Sequence, residues 1–181
     1  MTSARPRPVT INIDDKRRVS GLLQAPNNAH ICYVLAHGAG AGMAHPFMVG
    51  IADGLAERGI ATLRYQFPYM EQGSKRPDAP KLAQATVRSA VAQASHMLPT
   101  LGLVAGGKSF GGRMTSQAQA DLPLPGARGL VSLGFPLHAA GRPLDERAQH
   151  LFEVEIPMLF LQGKRDALAD VHLMQKLFRV S

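Results

Sequence analysis

Residues 107–111 read Gly-Lys-Ser-Phe-Gly, a G-x-S-x-G pattern that Gly106 and Gly112 extend on either side. A serine hydroxyl is a weak nucleophile at its ordinary pKa, so a serine that does chemistry has to be presented to its substrate and to a base. Glycines two residues to either side remove the Cβ atoms that would block a tight turn between a strand and a helix. The apolar stretch 103–105 and the helix-capable RMTSQAQA supply that strand and that helix. Ser109 is therefore expected to project from the end of a strand at the start of a helix. There the helix dipole and the Phe110 amide could stabilise an oxyanion.

The same residues spell G-x-x-x-x-G-K-S from Gly102 to Ser109, formally a phosphate-binding loop with Lys108 as its lysine. A phosphate loop puts its strand before the first glycine, whereas here the apolar Leu-Val-Ala falls inside the supposed loop. No later apolar strand ends in an aspartate suited to magnesium. A nucleotide triphosphatase stays the lesser reading, beside a serine that merely packs in a glycine-rich turn.

Two further stretches could complete acyl-transfer chemistry. His37-Gly38-Ala39-Gly40 follows an apolar run, and glycine there lets the backbone approach a substrate, so Ala39 or Gly40 is expected to donate the second oxyanion amide. His37 itself reads as a residue that shapes this loop. The glycines at 38, 40 and 42 do not make a dinucleotide fingerprint, because Met43 stands at the last required glycine and the next strand ends RYQF without an acid. Asp166, after the apolar PMLFLQ, stands where chain order places the carboxylate that orients a histidine; a helix N-cap and Asp170 are the alternatives.

These residues need a scaffold. Alternation at 8–14 and 18–25 around Asp14-Asp15-Lys16 predicts an antiparallel hairpin. The run 31–36 predicts a strand buried on both faces, with further strands at 59–67, 103–106, 129–134 and 157–163. Helical spacing of apolar residues predicts helices at 46–58 and 81–98, with another over 167–178. Strand and helix in alternation call for an α/β fold with a mostly parallel sheet and helices on both faces.

Length and composition agree with one domain over 1–181: 181 residues, 45% hydrophobic and 18% charged. The net charge of +7 comes from scattered lysines and arginines rather than a basic helix, so nucleic acid is not expected as a partner, and a weak preference for anionic substrates or surfaces is the most that the charge supports. No stretch approaches the ~20 apolar residues of a membrane span and no signal peptide is evident, so a cytoplasmic protein is expected. The one cysteine, Cys32, lies in an apolar run and reads as a buried side chain. The seven histidines never pair with cysteine or acid at ligand spacing, so neither metal nor other cofactor is expected. The sequence carries no signal for oligomeric state.

Taken in order, HGAGAGMAHPFM, RYQFPYME, GGKSFGGRM, GFPLH and LFLQGKRD resemble the α/β-hydrolase superfamily. More narrowly they are similar to the branch that groups dienelactone-hydrolase-like proteins with testis-expressed and NSL-complex hydrolase-like proteins. The resemblance implies an α/β-hydrolase sheet, Ser109 as nucleophile, Asp166 as acid and a small-molecule ester or thioester as substrate. It also implies a last strand and a histidine loop beyond the acid, whereas this sequence ends at Ser181. Poor activity, an exposed edge strand and reduced stability or self-association are the expectations that follow. Of the histidines present, His138 after the sixth strand is the best substitute base. His172 is too near the acid, and His150 is expected at a solvated position. A non-catalytic interaction module on the same fold is the alternative.

Overall fold

In a computed structural model of the chain, residues 4–139, 145–163, 165–168 and 171–177 are described, so Lys164 and Asp170 lie outside the described residues. Seven strands form one sheet: β1 (Arg7–Asn12), β2 (Arg18–Gln24), β3 (Ile31–Ala36), β4 (Ile60–Tyr65), β5 (Gly102–Lys108), β6 (Ala127–Leu133) and β7 (Met158–Leu161). Their spatial order is β1-β2-β4-β3-β5-β6-β7. The first two form the expected antiparallel hairpin, β2 joins β4 antiparallel, and every remaining pairing is parallel. The hairpin turn is closed by Asp14, whose Oδ1 accepts the amides of Lys16 and Arg17 at 3.0 and 2.8 Å.

The helices are α1 (Pro46–Ala56), α2 (Pro68–Glu71), α3 (Pro80–Met97), α4 (Phe110–Asp121) and α5 (Val171–Leu177), with a 3-10 helix at Asp145–Glu153. Proline opens α1, α2 and α3, the first-turn position where its missing N–H costs nothing. Two elements differ from expectation. Residues 68–71 form the short α2, since Pro68 starts a turn that the apolar pattern alone does not report, and the segment before β7 winds as a 3-10 helix.

One sheet face packs on α3 and α4 through Ala83, Val87, Ala90, Ala94, Met114 and Ala118 against Val34, Leu63 and Leu103. The opposite face packs on α1, where Met48 meets Tyr33 and Leu35. Arg64 on β4, 1% exposed, ties this side together. Its guanidinium donates to the Met43 carbonyl at 3.0 Å and to Gln24 Oε1 at 3.5 Å, and Gln24 Nε2 donates to Asp53 of α1 at 2.9 Å. Cys32 is fully buried, and burial pushes its thiol up to about 12, which keeps it protonated.

Beyond α1 no described element covers the same face. A groove of about 520 Å³ runs over β3, β5, β6 and β7, walled by Tyr33, Ile51, Leu55, Val104 and Val131. Leu159 and Leu161 of β7 stand at its edge, 53% and 54% exposed. At the far corner, Phe135 and Leu137 after β6 pack with Ala148 and Leu151 of the 3-10 helix and Met174 of α5, a second core that holds the loop after β6.

Candidate active site

Ser109 lies between β5 and α4 with φ 48° and ψ −113°, the only non-glycine residue at positive φ among those described. Its amide donates to the Leu133 carbonyl of β6 at 3.0 Å, which pins the turn to the neighbouring strand. The flanking glycines are there because nothing larger fits. A Cβ on Gly107 would lie 2.3 Å from the Ala36 carbonyl oxygen, and one on Gly111 would lie 2.5 Å from the His37 carbonyl oxygen. Gly106 runs within 1.8 Å of Val131 O by the same measure, and Gly112 within 2.8 Å of Gly107 O. The serine is thus forced outward at the head of α4, with the Phe110 amide in the helix's first turn. Residues 102–108 are strand, as expected from the place of the apolar Leu-Val-Ala: the glycine and lysine spacing falls on β5, where no amide cradle can form.

The loop after β3 is held from below. His37 is buried, donates from Nδ1 to the Gly38 carbonyl at 2.7 Å and accepts the Phe67 amide on Nε2 at 3.1 Å. Both ring nitrogens are committed, so this histidine shapes the loop; burial pushes its pKa down, partly opposed by Gly38. Gly40, at φ 72°, donates its amide to the Tyr69 hydroxyl at 3.0 Å, and the Met43 amide reaches Gln66 Oε1 at 2.8 Å. Of the two expected oxyanion donors, Gly40 is already paired with Tyr69, and the amide of exposed Ala39 has no such partner among the described residues. Neither Tyr69 nor Gln66 stood out in the sequence, although both belong to the same short RYQFPYM stretch.

Asp166 sits in the loop after β7, not at a helix start, since α5 begins at Val171. Its Oδ2 accepts from Gln162 Nε2 at 2.7 Å and its Oδ1 from the Leu168 amide at 2.9 Å. Gln162 Oε1 in turn accepts the Phe135 amide at 2.8 Å, so this glutamine, which sequence reasoning missed, fixes the acid against the loop after β6. Gly134 marks where these parts meet. The position a Cβ would take there is 2.6 Å from Lys108 Nζ and 3.4 Å from Asp166 Oδ2. Lys108 also lies over the Phe47 ring, 5.7 Å from its centroid.

The histidines divide clearly. His138 is 6% exposed, its amide donates to the Leu168 carbonyl at 3.2 Å, and its Nδ1 donates to the Ala139 carbonyl at 2.9 Å. Its backbone is therefore tied to the acid loop, while Nδ1 points at Ala139 rather than at Asp166. His172 is exposed on α5. His150 corrects the expectation of a solvated position: it is half-buried with Nε2 2.7 Å from Ser116 Oγ, because α4 packs against the 3-10 helix there. Burial and the Arg113 charge push its pKa down to about 4.

The fold is shared with known proteins. The alpha/beta hydrolase domain family matches residues 29–180. A structure described as an α/β serine hydrolase without a lid, from Xanthomonas campestris, is similar at TM-score 0.73 and 20% identity, over 98% of this chain and 79% of that one. A serine hydrolase homologue from Coxiella burnetii gives 0.77 and 16%, over 100% and 85%. A dienelactone hydrolase from Anabaena variabilis gives 0.66 and 18%, over 97% and 94%.

Proposed function

This chain belongs to the alpha/beta hydrolase domain family, and from that premise we propose that it is a serine hydrolase that cleaves an ester or thioester of a small molecule. The observation that carries the reading is the strained, glycine-flanked turn at Ser109, which puts a hydroxyl at a helix start at the cost of a left-handed backbone. The resemblance of its motifs to the dienelactone-hydrolase-like branch points the same way, as does the similarity to a solved dienelactone hydrolase. The narrower grouping with testis-expressed and NSL-complex hydrolase-like proteins, and a cytoplasmic location, belong to the same proposal. No helix among the described residues is long and apolar enough to cross a membrane.

In the proposed reaction Ser109 Oγ bonds to the carbonyl carbon while its proton passes to an imidazole. The carbonyl oxygen takes the negative charge and is held by the amides of Phe110 and Ala39. Collapse breaks the bond to the leaving oxygen or sulfur, which takes the proton. Water then attacks the acyl-serine by the same route in reverse, releasing the acid and restoring Ser109. Among the described histidines His138 is tied by its backbone to the acid loop, and Asp166 stabilises the imidazolium once the ring turns from Ala139.

Intact-mass analysis after fluorophosphonate treatment tests this, because the reagent modifies a serine activated by a base. One adduct is expected on the native chain and none on Ser109→Ala. A folded sample without adduct sinks the hydrolase reading and leaves the fold as an interaction module.

A further inference from the structure

The residue directly before the nucleophile is a lysine, and the proposed reaction gives it no task. Lys108 ends β5 and is half-buried. A surface lysine ordinarily carries its charged head out into water. This one lies across the site instead. Its stem passes the loop after β3, where a Cβ on Gly38 would stand 3.4 Å from Lys108 Cγ. Its Nζ lies over the Phe47 ring in the first turn of α1, 5.7 Å from the centroid. The same nitrogen reaches the loop after β6, 2.6 Å from the place that a Cβ on Gly134 would take.

The acid stands at that place too. Asp166 Oδ2, from the loop after β7, is 3.4 Å from the same point. Two distances taken from one point bound the separation of their ends, so ammonium and carboxylate are near enough for their charges to act on each other, short of direct contact. Gly134, at φ 65°, leaves them that space, since any side chain there would meet both groups. The hydrogen bonds on Asp166 come from neutral donors, one on each oxygen: Gln162 Nε2 and the Leu168 amide. A carboxylate has further lone pairs on both oxygens, so Asp166 can face a cation on one side and an imidazole on the other. Arg165, the neighbouring cation of the acid loop, is exposed, and Lys164 lies outside the described residues.

The geometry points to Lys108 as a positioning residue for the acid: its ammonium, held over Phe47 and beside Gly134, pairs with the Asp166 carboxylate and fixes it for the imidazole that serves Ser109. A carboxylate on neutral donors turns more freely about its last bond than one that also faces a fixed charge. The orientation of the acid matters because it selects the tautomer and direction of the imidazole. Lys108 acts through Asp166 and not on the substrate. Its use in catalysis rests on the hydrolase reading, while the pairing itself stands on the distances at Gly134.

Fluorophosphonate labelling of Ser109 and thermal unfolding of the full chain test this on a cycle of variants. Lys108→Met keeps the apolar stem without the charge, Lys108→Arg keeps a cation, and Asp166→Asn removes the charge of the carboxylate. Labelling is expected to slow about tenfold in Lys108→Met, to recover in Lys108→Arg, and to fall no further when Lys108→Met is added to Asp166→Asn. Melting temperatures should show the same coupling, the double variant falling by about 2 °C less than the two single falls taken together. An unchanged rate in Lys108→Met, or an equal slowing in the Asp166→Asn background, overturns the proposal, because the charge then does not act through the acid. Additive falls in melting temperature overturn it as well. If native Ser109 takes no label, the hydrolase reading fails and the melting temperatures alone decide: coupled falls keep the pairing of Lys108 with Asp166, and additive falls remove it.

Discussion

Holding Ser109 at φ 48° costs on the order of 1–3 kcal/mol, so its surroundings must over-determine it. They do so through the amide bond to Leu133, the backbone contacts of Gly107 and Gly111, and the locked ring of His37. His150 also departs from its ordinary chemistry. Its folded pKa of about 4 lies below the unfolded value near 6.5, so stability is at its full level above pH 6.5. As pH falls from there toward 4 the unfolded chain takes up the proton first, and stability is lost. Allowing for partial solvent access, the loss is on the order of 1 kcal/mol. Urea unfolding at stepped pH is expected to show this decline in the native chain and a shallower one in His150→Gln. Some slope should persist, because burial lowers the pKa of His37 in the same direction. Equal slopes in the two proteins would mean that His150 is no such titrating group.

At the scale of elements, the site depends on how closely β5 and α4 approach β3. The glycines at 106, 107, 111 and 112 let two backbones run where side chains would normally keep them apart. Adding a methyl at Gly107 sets a Cβ 2.3 Å from the Ala36 carbonyl oxygen and 2.8 Å from Ala36 Cβ. Neither neighbour can yield, since both belong to the central strand. Gly107→Ala is therefore expected to cost about 3 kcal/mol or more, read as a fall in the urea midpoint at unchanged slope, and to abolish labelling of Ser109. Gly50→Ala on α1, where a Cβ would meet nothing, serves as the control and should leave both readings close to native.

Across the whole molecule the two sheet faces are covered unequally. Among the described residues, helices α3 and α4 pack on one face from β1 to β6, whereas α1 packs on the other near β3 and β4. Parallel sheets bury both faces, so an apolar groove of about 520 Å³ with two half-exposed leucines on the edge strand is an unusual surface for a folded chain. An apolar dye whose emission rises in dry surroundings is expected to bind the native chain. Leu161→Lys, which puts a charge on that edge, should reduce the signal severalfold without lowering the melting temperature. Dye binding unaffected by the charge would place the apolar surface elsewhere.

How much of this was legible beforehand follows from distance along the chain. The hairpin, the buried strand at 31–36, the helices at 46–58 and 81–98 and the serine turn announce themselves through spacing between near neighbours. Periodicity and steric clearance act over a few residues, so an α/β fold with a mostly parallel sheet and the place of Ser109 at the head of a helix were determined by the sequence itself, and the resemblance of its motifs added the hydrolase type of sheet. The tertiary structure alone decided that Tyr69 takes the Gly40 amide, that Gln162 holds Asp166 to Phe135, and that His150 is half-buried against Ser116. Most of these partners lie 27 to 34 residues apart. They meet because parallel strands end on one side of the sheet and gather their loops there, a convergence that no local pattern of residue types encodes.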